Sequence, residues 1–188
     1  MLLKFTTTFG TICVIALSVF FLYANKSLRE FRRNHPTPFT FVLLLVFGLL
    51  SIYGTLSAVT VEDAFCNVRD LAPLLGGFLG GPIVGIGAGI VGGLFRLTAG
   101  GPTMIPCSIS CLLAGVVGSA VYVFNKGKVV SPLMGFAIAG LIECVHMLLV
   151  AAFGYINIAF KLIGPMVIAT SFGAWLGLTV YHYLSDKR

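Results

Sequence analysis

Arg69 and Arg96 bracket a stretch, LAPLLGGFLGGPIVGIGAGIVGGLF, that carries no charge. An arginine at membrane depth is costly and is usually retained for a site. The Gly80-Gly81-Pro82 break between them predicts a hairpin that returns both to one membrane level. Arg69 lies eleven residues before Gly80 and Arg96 fifteen after Gly81, so each stands roughly 16 to 22 Å from the turn along a helix. The chain then turns through residues 97–103 and descends with Pro106 near the start of a helix, where a missing N–H costs nothing. The free N–H groups and positive dipole end of that helix add to the field of the two guanidiniums. Cys107, Ser110 and Cys111 follow at i, i+3 and i+4 on one face. Together these residues describe an anion pocket open to the outside, with a hydroxyl and a thiol beside it.

Each has a plainer role available. The arginines could snorkel from helix ends to the interface, the cysteines could be small apolar fillers, and Ser110 could bond a carbonyl of its own helix. Asn67 could cap the helix after Arg69 or donate to a ligand. Asp70 adjoins Arg69, but neighbours in a helix point apart, so no salt bridge between them is expected. Glu143 and His146, three apart near the middle of a later segment, share a face. A carboxylate there must be protonated or partnered; it either faces Arg96 as a coupling acid or forms a structural pair with His146 or an arginine.

The elements that position these groups follow from composition. Of 188 residues 58% are hydrophobic and 10% charged, and the mean hydropathy is +1.04, which defines an integral membrane protein. A single domain spanning 1–188 is expected, with residues 1–35 an additional N-terminal helix and basic loop and 36–188 the core bundle. The apolar stretch from Thr6 to Tyr23 lacks a cleavage site and is followed by Lys26, Arg29, Arg32 and Arg33, so it reads as a retained span. Cys13, Cys66, Cys107, Cys111 and Cys144 form no CxxC pair, and neither a disulfide framework nor a zinc site is indicated.

The fold expected is all-α, a polytopic bundle of about seven segments: Thr6 to Tyr23, Phe39 to Ser57, Leu71 to Leu79, Pro82 to Leu97, Pro106 to Phe124, Pro132 to Phe153 and Gly164 to Leu184. Charge bias decides between one span and two across the arginine-flanked stretch. One span divides the twelve basic residues six and six. Two spans place Lys26, Arg29, Arg32, Arg33, Lys126, Lys128, Lys187 and Arg188 on one side and four on the other, as the positive-inside rule requires. The N-terminus is then outside, the C-terminus cytoplasmic, and Glu62 and Asp63 lie in an outer loop. The net charge of +6 thereby sets topology; no basic stripe suggests nucleic acid. Gly81, Gly85, Gly89 and Gly93 recur every fourth residue, a face for close helix approach within or between protomers. Gly87-x-Gly89-x-x-Gly92 matches a dinucleotide fingerprint by letter only, with no strand or βαβ unit around it. Trp175, Tyr181 and Tyr183 pack or anchor the last segment.

The stretch SIYGTLSAV, followed by NVRDLAPLLGGFLGGPIVGIGAGIVGGLFRLTAGGPTMIPCSISCLLAGVVGS, resembles the membrane receptor module of LytS-type sensor histidine kinases, a module also attached to some diguanylate cyclases. The shared pattern is an Asn-x-Arg, a Gly-Gly-x-x-Gly-Gly-Pro turn, an Arg followed by Gly-Gly-x-Thr, and Cys-x-Ile-Ser before a glycine-rich helix. The resemblance implies a bacterial inner-membrane receptor for a small extracellular carboxylate such as pyruvate. Position by position it nominates Arg69, Arg96, Cys107 and Ser110, with Asn67 and Thr103 nearby. The sequence departs from the pattern at Val68, Phe95, Pro102 and Cys111. A homodimer is implied, with no cofactor and no enzymatic activity in this chain, which acts on a cytoplasmic signalling domain or response regulator. The chain given stops at Arg188, where the family continues into signalling domains, so it is expected to be a module of a longer sensor or to work with a separate partner. The Gly-Pro hairpin also looks like that of vitamin-transporter S components, which makes a solute-uptake component the alternative, although Phe39 to Ser57 lacks their AxxxA docking face.

Overall fold

A computed structural model of the chain describes residues 2–61 and 64–186, with side chains from Thr7 onward within those ranges. Glu62, Asp63, Lys187, Arg188 and the Lys4 side chain, to which the topology argument assigns sides, lie outside the described residues. The elements run in the order α1 (Leu2–Ala24), α2 (Lys26–Asn34), α3 (Pro36–Leu56), β1 (Val59–Val61), β2 (Ala64–Cys66), α4 (Leu71–Ala99), α5 (Met104–Phe124), α6 (Pro132–Ala152) and α7 (Ile156–Asp186). All but α2 and the two strands are long and apolar enough to cross a membrane. Each of these six turns large apolar side chains outward, among them Leu17, Leu45, Leu94, Leu112, Leu148 and Phe160. Helices apolar on their outer faces as well as their inner ones belong in lipid.

The sequence boundaries shift in small ways. Residues expected as a basic loop after α1 form the short helix α2, because the Asn25 side chain accepts from the N–H groups of Ser27 and Leu28, an N-cap that frees the basic residues to be helical. Arg32 lies 4.8 Å over the Tyr23 ring. Ser131 caps α6, with Pro132 in its first turn, and α7 begins before the expected Gly164 and runs through Pro165. The antiparallel pair β1 and β2 was not expected at all.

α4 is two helices joined at a break. Gly81 has φ 73° and ψ −159°, a conformation open to glycine and strained for a side chain, and Pro82 supplies no N–H to continue a helix. The limbs double back: a Cβ on Gly85 would come within 2.6 Å of the Gly77 Cα, although a continuous helix would hold eight residues about 12 Å apart. The expected hairpin is therefore present. Every residue from 67 to 79 is buried, so the first limb is wrapped by protein. A short helix is tolerated at membrane depth when it is enclosed in this way. The glycine face of the second limb packs within the protomer. A Cβ on Gly89 would meet the Cys111 carbonyl oxygen at 2.9 Å, and one on Gly93 the Ser108 carbonyl oxygen at 3.0 Å, so α5 lies directly on that face. Around this unit α3, α6 and α7 close the core through Phe47, Phe78, Leu74, Leu75, Ile142 and Leu178. α1 docks on α7 where the Tyr23 and Tyr181 rings meet edge-on, 4.9 Å between centroids. Of the other aromatic residues named for α7, Trp175 stacks on Phe172 at 5.7 Å and Tyr183 is exposed.

Candidate ligand-binding site

Arg69 sits in the turn before α4. The Asn67 side chain accepts the Arg69 N–H at 3.0 Å, fixing that turn. The turn lies tight against α3: a Cβ at Gly54 would come 2.9 Å from the Arg69 Cα. From this position the guanidinium donates to Thr55 Oγ1 and to the Cys107 carbonyl oxygen, each at 3.4 Å. Arg96 comes from the far end of α4. Its guanidinium donates to the Gly100 carbonyl oxygen and to Thr103 Oγ1, and lies 5.0 Å over the Phe65 ring of β2. Thr103 is the N-cap residue of α5, and its carbonyl oxygen accepts the Cys107 N–H at 3.1 Å. Both arginines thus converge on the first turn of α5.

They are buried to an unusual degree, Arg69 at 1% and Arg96 at 0% exposure, and the Nε of each has no hydrogen-bond partner among the described residues. Their charges are balanced differently. Arg69 Nε lies 3.6 Å from Asp70 Oδ1, contrary to the expectation that neighbouring residues point apart. The expectation assumed both inside the helix, whereas both precede its first residue, in a turn where side chains can converge. Among the described residues no carboxylate lies within ion-pair distance of Arg96; its partners are two neutral oxygens, the Cys107 side chain and an aromatic face.

Asp70 anchors a second layer. Ser110 donates to Asp70 Oδ2 at 2.6 Å and not to its own helix. The same oxygen is 3.1 Å from His146 Nδ1. Burial pushes the Asp70 carboxyl up, but His146 foremost, with Arg69 and the Ser110 hydroxyl, outweighs this and holds it below the usual carboxylate range. Glu143 faces His146, not Arg96: Glu143 Oε1 is 2.9 Å from His146 Nδ1, and Thr170 of α7 donates to Glu143 Oε2 at 3.0 Å. His146 turns its other nitrogen, Nε2, to Cys107 Sγ at 3.3 Å. Cys111, one turn further along α5, meets Ser51 of α3 at 3.4 Å.

Asp70, Glu143 and His146 bring one donor atom each within 4.8 Å of one another, a grouping of potential metal ligands that the sequence did not reveal. Their mutual hydrogen bonds use those atoms, and the adjacent Arg69 opposes a further cation. Space beside Thr103, Cys107 and His146 amounts to ≈10 Å³, walled by Ala64 and Phe65 of β2. A larger cavity of ≈710 Å³ opens between α1, β1 and α7, lined by apolar side chains such as Phe9, Ile12, Leu162 and Phe172. Of the site residues only Asn67, whose Nδ2 has no hydrogen-bond partner among the described residues, borders it.

The spacing of the sequence located Arg69, Arg96, Cys107, Ser110, Glu143 and His146, and the fold gathers all six, with Asn67 and Thr103 beside the arginines. Thr55, Phe65, Asp70 and Thr170 were missed. Thr170 carries no sequence signal at all; the β-branched run Val59-Thr60-Val61 could have announced the strand pair that delivers Phe65.

Fold and site together define a helical integral membrane protein with a buried ionisable cluster at the junction of α4, α5 and α6. The chain belongs to the family described as 5TMR of 5TMR-LYT, whose sequence model matches residues 22–182, in agreement with the LytS-type receptor module indicated by its motifs. It is 32% identical over 161 residues to the sensor histidine kinase BtsS of Escherichia coli K12, an alignment covering 80% of this chain and 28% of that one. Identity to the sensor protein LytS of Bacillus anthracis is 35% over 130 residues, 66% of this chain and 22% of the relative. Identity to the sensor histidine kinase YpdA of Escherichia coli K12 is 34% over 113 residues, 58% and 20%. The chain therefore spans less than a third of the length of these relatives. Their names give no support to the diguanylate cyclase alternative, and no solved structure matches the chain. Six helices long and apolar enough to cross a membrane and this membership make it a multi-pass protein of the bacterial inner membrane, an input module for signal transduction.

Proposed function

We propose that the chain is the ligand-sensing module of a sensor histidine kinase, and that Arg69 and Arg96 hold the carboxylate of a small organic acid, pyruvate or a close analogue, arriving from outside. One observation carries the reading: Arg96 is wholly buried yet has no carboxylate partner among the described residues. A buried cation left with neutral partners is costly and is relieved by an anion. The carboxylate takes the place of Gly100 and Thr103 as acceptor for Arg96 and uses the free Nε donors of both arginines. Asn67, Thr103, Cys107 and Ser110 border the bound acid. The ≈10 Å³ now present holds about one water, so entry requires β2 and its Phe65 to move.

Glu143 and His146 couple the site to the output. The contacts from Cys107 to His146, from His146 to Glu143 and from Glu143 to Thr170 form an unbroken polar path from α5 through α6 to α7. A ligand that favours one arrangement of this path shifts α7, and paired α7 helices in a homodimer would pass the shift to cytoplasmic signalling domains and a response regulator. Family membership favours this reading over the solute-uptake alternative, which requires saturable flux in liposomes.

Isothermal titration of the protein in nanodiscs against acetate, lactate, pyruvate and succinate tests the proposal. A carboxylate is expected to bind the unaltered protein, and Arg96→Ala to weaken it by about 2 to 5 kcal/mol. Unchanged affinity in both Arg69→Ala and Arg96→Ala would sink the carboxylate site.

A further inference from the structure

Cys107 is more than a wall of this pocket. Its Sγ lies 3.3 Å from His146 Nε2, while Nδ1 of the same ring faces two carboxylates, Glu143 at 2.9 Å and Asp70 at 3.1 Å. Two carboxylates at Nδ1 hold a proton on that nitrogen whatever the state of the other. Nε2 is therefore the nitrogen that exchanges a proton with the thiol. A thiol, a base and a carboxylate that orients the base form the arrangement that activates a nucleophile. Thr170 and Ser110 in turn hold the two carboxylates, so the base is braced from α4, α5 and α7. Cys111 provides the contrast: one turn away, it meets the Ser51 hydroxyl and Arg69, and no histidine among the described residues. A structural cysteine needs no such base, and a site built only to bind a carboxylate has no use for one.

We infer that Cys107 captures a 2-oxo acid by reversible addition to its keto carbon, an inference that rests on the carboxylate site proposed above. Arg69 donates to the carbonyl oxygen of Cys107 itself and Arg96 to Thr103 one turn earlier. A carboxylate anchored there carries its next carbon to the thiol. In the step, the Cys107 S–H proton passes to His146 Nε2, a sulfur electron pair forms the S–C bond, and the carbonyl π pair moves to oxygen. His146 Nε2 then returns the proton to that oxygen, giving a neutral hydroxyl on a tetrahedral carbon. Nothing is oxidised or reduced, and expulsion of the thiolate reverses the addition. A 2-hydroxy acid offers the same carboxylate with no electrophile, so the receptor distinguishes the oxidised from the reduced member of such a pair.

The probe is [2-13C]pyruvate with the 188-residue chain in nanodiscs, read by carbon NMR. The bound resonance is expected to leave the ketone region for that of a tetrahedral carbon bearing sulfur, distinct from free pyruvate hydrate, and lactate is expected to bind about tenfold more weakly by titration. Cys107→Ser and His146→Gln are expected to lose the tetrahedral signal, each checked for folding by its thermal transition, while Cys144→Ser retains it. Binding of both acids with the ketone resonance unmoved would overturn covalent capture and leave the carboxylate site standing. Binding of neither acid would overturn both, and a tetrahedral signal persisting in Cys107→Ser would remove the thiol from the reaction.

Discussion

The two arginines differ in what their loss does to the empty protein. Arg69 faces Asp70 at 3.6 Å, so Arg69→Met leaves a buried carboxylate without its guanidinium, and breaking a buried pair from one side costs about 3 kcal/mol or more. Arg96 has no carboxylate to orphan among the described residues, and Arg96→Met removes a buried charge held by neutral partners. Thermal unfolding in detergent is expected to show Arg69→Met well below the parent and Arg96→Met at or above it, although both fail to bind pyruvate. Equal destabilisation would mean that Arg96 has an anionic partner in the free protein. Ser110 belongs to the same scale. Ser110→Ala removes the 2.6 Å donor from Asp70 and is expected to lower stability by about 1 to 3 kcal/mol, measured in the same way; no change would show that Asp70 is satisfied without it. Spacing made the arginines and the Glu143–His146 pair legible, because a charge in an apolar run has few plain explanations. Asp70 was not legible, since its geometry depends on where the helix starts, and single-residue boundaries are the weakest part of a sequence reading.

At the scale of elements, the second limb of α4 lies on α5 because its glycines admit no side chain. A Cβ on Gly85 would stand 2.7 Å from the Gly115 carbonyl oxygen, backbone that cannot swing aside. Gly85→Val is expected to prevent stable folding, seen as loss of a monodisperse peak in detergent, whereas Gly164→Ala, with nothing within 4 Å, is expected to be neutral or to stabilise α7 by up to about 1 kcal/mol. A Gly85→Val protein that folds normally would refute the close α4–α5 approach. The hairpin and its glycine face could be read from a break at Gly-Gly-Pro and a period of four. Alternation could not reveal the strands β1 and β2, which are three residues each, so the sequence signal for them is the β-branched run Val59-Thr60-Val61.

For the whole molecule, orientation follows from charge. The turn between α5 and α6 carries Lys126 and Lys128, and with the α2 residues Lys26, Arg29, Arg32 and Arg33 it defines the cytoplasmic side if the positive-inside rule holds. In a background without native cysteines, Lys128→Cys is expected to resist an impermeant thiol reagent applied from outside, and Thr98→Cys to react. The reverse pattern would invert the molecule and place the arginine site toward the cytoplasm. The structure makes α4 double back by geometry alone, independently of the charge count that anticipated it, and the two arguments converge on Arg69 and Arg96 lying together away from the Gly81 turn.

The enclosure of residues 67–79 also bears on how the protein is made. A limb of about 15 Å cannot span a bilayer unaided, so it has to leave the insertion machinery paired with residues 82–99 as a preformed helical hairpin. Until α5 has been synthesised, one side of that limb and the Arg69 guanidinium meet lipid. α5 follows after only the short segment 100–103, which keeps this interval brief during translation. A chain interrupted between α4 and α5 would present a charged, half-wrapped hairpin to membrane quality-control proteases, whereas one interrupted after α5 would already have its most vulnerable surface covered.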